Sequence, residues 1–283
     1  MIVSGSHSQI LSAELAAVTG RSLATVEYDR FPDGELKVRV PDPSAERAVV
    51  VASTPTSDAH LELLQLQDAL REAGVSEIVT VLPYMGYARQ DKVFETGDPI
   101  SARAMARAVS TGADRVLTVN PHEPAVTDFF DVPADTVDAA GRLAEPLPEL
   151  SDPVFVAPDE GATALAGSVR DAYGGGETDY FEKTRHSSTE VEIEPRDADV
   201  ADRDVVLTDD IVATGSTMSE AVAALAERDA ARVFVTCVHP MLARNAVLKL
   251  SAAGVEAIYG TDTLERPVSE VSVAPAIADA LSL

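Results

Sequence analysis

A single cysteine, Cys237, in 283 residues leaves no internal disulfide framework to consider. It sits in the apolar run 233–238, where a thiol reads as a small buried side chain rather than a nucleophile. No apolar run approaches the roughly 18 residues of a membrane span. The start, Met1-Ile-Val-Ser-Gly5, has neither the basic segment nor the long apolar stretch of a signal peptide. These gaps predict a cytoplasmic chain with no membrane partner. Positive charge is also short, with 22 Lys and Arg against 47 Asp and Glu and a formal net charge of −25. Lysine is the scarcer base, confined to Lys37, Lys92, Lys183 and Lys249. A long-range field of that sign repels phosphate backbones, which argues against nucleic acid and anionic lipid as partners.

So much acid could mark disorder, but the acidic residues alternate with regular apolar runs instead of gathering in tails. A solvent-exposed acidic shell on a folded protein is the better account, as in cytosolic proteins of salt-accumulating cells. In molar salt the Debye length is only ~3 Å, so self-repulsion is screened. With 46% of the residues apolar, there is enough material for two compact domains.

Short β-rich runs recur at 48–52, 77–82, 115–119, 154–157, 204–208, 232–238 and 255–259. Several are continuous, as expected of strands buried on both faces. Amphipathic segments at 58–73, 101–111, 161–173, 217–229 and 242–253 lie between them. Gly74, Gly112 and Gly254 follow three of these, where helices commonly end in a left-handed residue. The alternation predicts an α/β protein with mostly parallel sheets flanked by helices. Prolines 146, 148 and 153 set a boundary between domains 1–145 and 146–271. The segment 272–283 reads as a short apolar helix that can complete the first domain. The stretch 174–195, opened by three glycines, reads as an excursion outside the βα pattern, a hairpin bearing Lys183-Thr-Arg185.

The segment Val205-Val-Leu-Thr-Asp-Asp-Ile-Val-Ala-Thr-Gly-Ser-Thr217 carries the strongest chemical signal. An apolar strand ends in Asp209 and Asp210, and Thr214, Gly215, Ser216 and Thr217 lead into a helix. Backbone N–H groups and hydroxyls at a helix start suit a phosphate, and paired acids beside it suit sugar hydroxyls or a metal. An ordinary capped turn would not need two acids and three hydroxyls in nine positions. Other segments are less decisive alone. Arg30-Phe-Pro-Asp-Gly-Glu35 passes for a plain hairpin turn, and Lys183/Arg185 for a surface charge pair. His122 passes for a structural histidine, as do His7, His60, His186 and His239. Pro83-Tyr-Met-Gly-Tyr-Ala-Arg-Gln-Asp-Lys92 follows a strand, at the edge where α/β sheets bind ligands, and concentrates cations that are rare elsewhere.

The acid-and-hydroxyl segment resembles the phosphoribosyl-diphosphate loop of the type I phosphoribosyltransferase fold. Together with residues 30–35, residues 83–92 and Asn120-Pro-His122, in that order along the chain, it resembles the ribose-phosphate diphosphokinase family. The resemblance implies two tandem phosphoribosyltransferase type I-like domains. It implies an ATP site with Phe31 stacking on adenine, Asp33 and Glu35 at its edge or ribose, and Arg89 and Gln90 on the nucleotide, Arg89 on its phosphates. It implies Mg2+ held by His122 and by Asp159 of Val156-Ala-Pro-Asp-Glu-Gly161, and catalysis by Lys183 and Arg185 on a loop closing over the reacting phosphates. Ribose 5-phosphate would lie on Asp209, Asp210 and residues 214–217. The implied reaction moves the β,γ-diphosphoryl group of MgATP to O1 of ribose 5-phosphate, giving AMP, in a homo-oligomer whose ATP sites are shared between subunits.

Ala213 departs from the family pattern, in which many members carry a third acid, and puts one ribose or metal-water contact in doubt. Two rival readings remain. A phosphoribosyltransferase would not need the motifs at 30–35 and 83–92. A silent regulatory homologue would have lost the cation pair or the phosphate loop, and both are present.

Overall fold

The computed structural model describes residues 1–185, 191–196 and 198–281. The chain divides into two compact units. The first comprises residues 1–138, 262–265 and 272–281, and the second residues 139–261 and 266–271. The division falls ahead of the 145/146 position expected from the prolines. The 310 turn Ala140–Ala144 packs on the helix Thr163–Tyr173 and the strand Arg232–His239, which gives that segment to the second unit.

The first unit is built on a five-stranded parallel sheet. In chain order its elements are β1 (Ile2–Ser4), α1 (Gln9–Thr19), the hairpin strands β2 (Glu27–Arg30) and β3 (Leu36–Arg39), β4 (Arg47–Val51), α2 (Ser57–Glu72), β5 (Glu77–Leu82), α3 (Ser101–Ser110), β6 (Arg115–Val119) and β7 (Ala134–Val137). The sheet order is β1-β4-β5-β6-β7, and β2-β3 pair apart from it. β4, β5 and β6 each begin with a charged residue at the rim and continue as β-branched runs buried throughout, as strands covered on both faces must be. α2 starts where the Thr56 side chain accepts from the Ala59 N–H, with Asp58 in its first turn and Arg71 in its last. Leu63, Leu66 and Leu70 form its buried stripe, each contributing roughly 2 kcal/mol.

The second unit holds β8 (Val154–Ala157), α4 (Thr163–Tyr173), β9 (Glu177–Arg185), β10 (Val191–Pro195), β11 (Asp204–Ile211), α5 (Ser216–Ala226), β12 (Arg232–His239), α6 (Ala246–Ala253), β13 (Ala257–Thr261) and β14 (Ser269–Val271). Its sheet order is β10-β9-β8-β11-β12-β13-β14, parallel except for β10. A last helix, α7 (Ala274–Ala280), packs on α1 in the first unit.

Three expectations need correction. The stretch 174–195 is not outside the βα pattern, because β9 pairs in parallel with β8 and completes a β8-α4-β9 crossover. It turns back as β10 only afterwards. Gly74 and Gly254 are left-handed, but Gly112 is not. Gly112 is small because a Cβ there would lie 2.6 Å from Gln67 Cβ. The segment near 255 enters its strand later than expected, at Ala257.

Candidate active site

In the second unit, β8, β9 and β11 run in parallel, so their carboxyl ends share one edge of the sheet. Asp159 lies just beyond β8, Lys183 and Arg185 are the seventh and ninth residues of β9, and Asp209 and Asp210 are the sixth and seventh of the eight residues of β11. The topology thus brings Asp159, Lys183, Arg185, Asp209, Asp210 and residues 214–217 to one edge. His186 lies outside the described residues.

Asp209 is half-buried beside Cys237 on β12, and its carboxylate accepts the Asp210 N–H at 2.8 Å. Burial, then the neighbouring Asp210 charge, hold its carboxyl well above the usual carboxylate range, and the charge of Asp159 adds to this. Burial first, and Asp209 second, likewise push up the Cys237 thiol, which is therefore an inert packing group. After Val212 the chain turns through Gly215, at φ +72°, into the start of α5. A Cβ at Gly215 would lie 3.2 Å from the Ala246 carbonyl oxygen, so glycine is required by both conformation and space. No side chain caps α5. Uncapped N–H groups at a helix start suit an anion, and the Thr214 hydroxyl lies 3.5 Å from Ser216 Oγ.

These acids fit a hard divalent cation. Asp159, Asp209 and Asp210 supply the oxygen donors that Mg2+ takes, and a cation would relieve the repulsion that raises Asp209. Among the described residues no three His, Cys, Asp or Glu side chains cluster tightly enough to cage an ion. A bound Mg2+ would therefore draw water and substrate oxygens into its shell.

In the first unit, residues 83–92 leave the carboxyl end of β5, and His122, exposed, lies three residues beyond the neighbouring β6. The loop is clamped at its base. Gly86 donates to Thr54 Oγ1 at 3.0 Å, and a Cβ there would lie 2.1 Å from the Thr54 carbonyl oxygen. Tyr87, left-handed at φ +65°, meets Ser57 hydroxyl to hydroxyl at 2.7 Å. Beyond this clamp Arg89 is exposed, while Gln90 is tied to α3 through Ser101 Oγ and the Ala102 N–H. Phe31, Asp33 and Glu35 form the exposed tip of the β2-β3 hairpin, with Lys37 Nζ 5.5 Å from the Phe31 ring centroid. Among the described residues no hydrogen bond, ion pair or ring contact joins this tip to Arg89 or Gln90.

One functional candidate escaped the sequence reading. Lys249, on α6, donates from Nζ to Ser216 Oγ at 2.7 Å. Its signal was the rarity of lysine, but only the fold brings it to a loop 33 residues earlier in the chain.

A parallel sheet with paired acids near the carboxyl end of a central strand, followed by an uncapped glycine-hydroxyl turn, is the architecture of the phosphoribosyltransferase class. Known proteins agree in each half of the chain. Residues 1–112 match the N-terminal domain of ribose phosphate pyrophosphokinase, and residues 135–256 match the phosphoribosyl transferase domain. A ribose-phosphate pyrophosphokinase of Halobacterium salinarum is 68% identical over 99% of this chain and 100% of its own. One of Methanosarcina mazei is 46% identical over 99% of this chain and 95% of its own. The crystal structure of phosphoribosylpyrophosphate synthetase from Mycobacterium smegmatis superposes with a TM-score of 0.85 at 29% identity, covering 100% of this chain and 97% of that one. The chain belongs to the ribose-phosphate pyrophosphokinase family.

Proposed function

We propose that the protein transfers the β,γ-diphosphoryl group of ATP to O1 of ribose 5-phosphate, releasing AMP and 5-phosphoribosyl 1-diphosphate. The observation that carries this reading is the paired acids Asp209 and Asp210 near the carboxyl end of β11, joined by the short turn 212–215 to the uncapped start of α5. The 5-phosphate of the sugar takes the N–H groups and hydroxyls of residues 214–217, and the ribose hydroxyls donate to Asp209 and Asp210. That grip orients O1 for in-line attack on the β-phosphorus, with AMP leaving on the opposite side.

On the nucleotide side, Phe31 stacks on the adenine, Asp33 and Glu35 accept from its edge or ribose, and Arg89 and Gln90 hold the rest of ATP. A planar guanidinium at Arg89 matches paired phosphate oxygens. Arg89 has no carboxylate partner among the described residues, in a chain where Arg30, Arg71, Arg115 and Arg203 all have one. Lys183 and Arg185 neutralise charge on the transferred group. Mg2+ would be held by His122 and Asp159 and, when bound, would supply further neutralisation of the phosphate oxygens. We further propose a cytoplasmic homo-oligomer with ATP sites shared between subunits. Among the described residues no helix is long and apolar enough to cross a membrane.

The test is incubation with MgATP and ribose 5-phosphate in molar KCl. AMP is expected in step with 5-phosphoribosyl 1-diphosphate. Stoichiometric ADP, or no turnover at any salt, would overturn the proposal.

A further inference from the structure

The chain has only four lysines. Lys92 lies in the loop that carries Arg89 and Gln90, its Nζ 5.5 Å from the exposed Phe94 ring centroid. Lys37 stands over Phe31, and Lys183 is on β9. Lys249, like Lys37, falls outside every sequence motif. In an acid-rich protein an ammonium at the surface is expected to find a carboxylate, as many arginines do. Lys249 has no carboxylate within ion-pair distance among the described residues; its partner is the Ser216 hydroxyl.

The fold holds that contact from several sides. Backbone bonds from Leu242 N–H to the Val212 carbonyl (2.9 Å) and from Ala243 N–H to the Ala213 carbonyl (2.8 Å) fasten the approach to α6 along the phosphate loop. Ala246, in the first turn of α6, packs on Gly215. Lys249 is three residues further on, the spacing that puts two side chains on one helix face. The half-buried ammonium is thereby fixed beside the loop, with one of its three N–H donors engaged.

We propose that Lys249 is a binding residue for ribose 5-phosphate, and that its ammonium donates to the 5-phosphate while it remains on Ser216. The inference rests on the reading of residues 214–217 as the 5-phosphate site. It adds a fixed positive charge to a cradle otherwise made of N–H dipoles and hydroxyls. A dianion gains more from a charged donor than from a neutral one. The charge comes from a different helix, so the loop itself stays short enough for Gly215 to pack on Ala246.

Calorimetric titration with ribose 5-phosphate, together with steady-state kinetics at one fixed KCl concentration, tests this on wild type, K249M and K249R. K249M is expected to weaken ribose 5-phosphate binding and raise its KM by about tenfold or more. The KM for ATP and the Tm should hold, and K249R should recover most of the loss because it keeps the charge. Unchanged ribose 5-phosphate binding in K249M overturns the proposal. So does an equal rise in both KM values together with a lower Tm, the mark of a packing role. If wild type binds the sugar phosphate more tightly than K249M yet makes no AMP, Lys249 stands and the proposed reaction falls. If wild type does not bind the sugar phosphate, both fall.

Discussion

Asp204 and Asp209 stand five residues apart on β11, and the two ends of that strand treat the same side chain in opposite ways. Asp204, at the amino end, is buried, accepts from both Arg232 Nε (2.9 Å) and Nη2 (2.5 Å), and takes the Ser151 N–H at 2.7 Å. Those bonds, Arg232 first, hold its carboxyl below the usual range against the cost of burial. Asp209, at the carboxyl end, has no cation within ion-pair distance among the described residues and faces Asp210 and Asp159, so its carboxyl is raised. One end is neutralised and closed. At the other, burial first and then the repulsion of adjacent carboxyl groups raise Asp209. Such a difference separates an acid that holds a fold from one kept for chemistry.

The largest effect on turnover is expected from Asp209→Asn. The amide keeps the shape but loses an acceptor for the sugar hydroxyls, and kcat/KM should fall on the order of 100-fold. Stability should move the other way. A raised carboxyl contributes stability below its unfolded pKa and loses it as the pH rises through the folded value. At neutral pH Asp209→Asn should therefore melt higher than wild type, with the gap closing in acid. Activity and Tm measured on the same preparation decide it. A variant that is both less active and less stable would mean Asp209 is structural, like Asp204, and the contrast along β11 would disappear.

The carboxyl end of β11, where the proposed sugar-phosphate site lies, was the more legible of the two in sequence. Two acids and a Thr-Gly-Ser-Thr turn fall within nine consecutive positions, so local spacing suffices to read them as a sugar-phosphate grip. The strands were legible for a related reason, since β-branched runs such as those of β5 and β6 are the local signature of burial on both faces. What stayed hidden depends on contacts far apart in the chain. Lys249 reaches Ser216 across 33 residues, and Asp204 finds Arg232 across 28. Gly112 was misread because its small size answers to Gln67 on another helix, whereas Gly74 and Gly254 answer to their own helix ends. The β8-α4-β9 crossover was missed for the same reason, as three glycines and a polar strand gave no local hint that β9 would join the main sheet. The scarcity of lysine was global information, and its meaning came only when the fold showed where Lys249 goes.

The intermediate effect falls on stability alone. Asp204→Asn removes the charge that satisfies Arg232, and should cost about 2 kcal/mol of folding free energy at pH 7. The sign is opposite to that for Asp209. A lowered carboxyl contributes stability above its unfolded pKa and loses it as the pH falls through the folded value, so the difference from wild type should shrink in acid. Turnover per folded molecule should not change, because the amino end of β11 lies away from the ligand edge. Denaturant titrations at neutral and acid pH, with activity measured in parallel, check both halves of the statement. A loss of kcat with full stability would show that the two ends are coupled through the strand.

Asp262, in the first unit, combines features of both and is expected to matter least to turnover. It is buried like Asp204 and raised like Asp209, to about 6, by burial first, with the charge of Glu14 adding to it. Whereas Asp209 accepts from the adjacent Asp210, the Asp262 carboxylate accepts from a separate segment, from Ser272 Oγ at 2.6 Å and from the Val273 N–H at 2.8 Å, just before α7. Those bonds offset the cost of burial only in part. The ordinary value is 3.8, so the stability that Asp262 lends should be present below about pH 4 and lost as the pH rises to about 6. Asp262→Asn should therefore gain on the order of 1–2 kcal/mol at pH 7, with no gain at pH 4, and leave kcat/KM as in wild type. Ribose 5-phosphate separates it from Asp209. Saturating sugar phosphate should change the stability difference between wild type and Asp209→Asn, because only wild type can use the lost carboxylate. It should leave the difference for Asp262→Asn untouched. If both differences respond alike, the raised carboxyl at Asp209 is a cost of burial and not a property of the site.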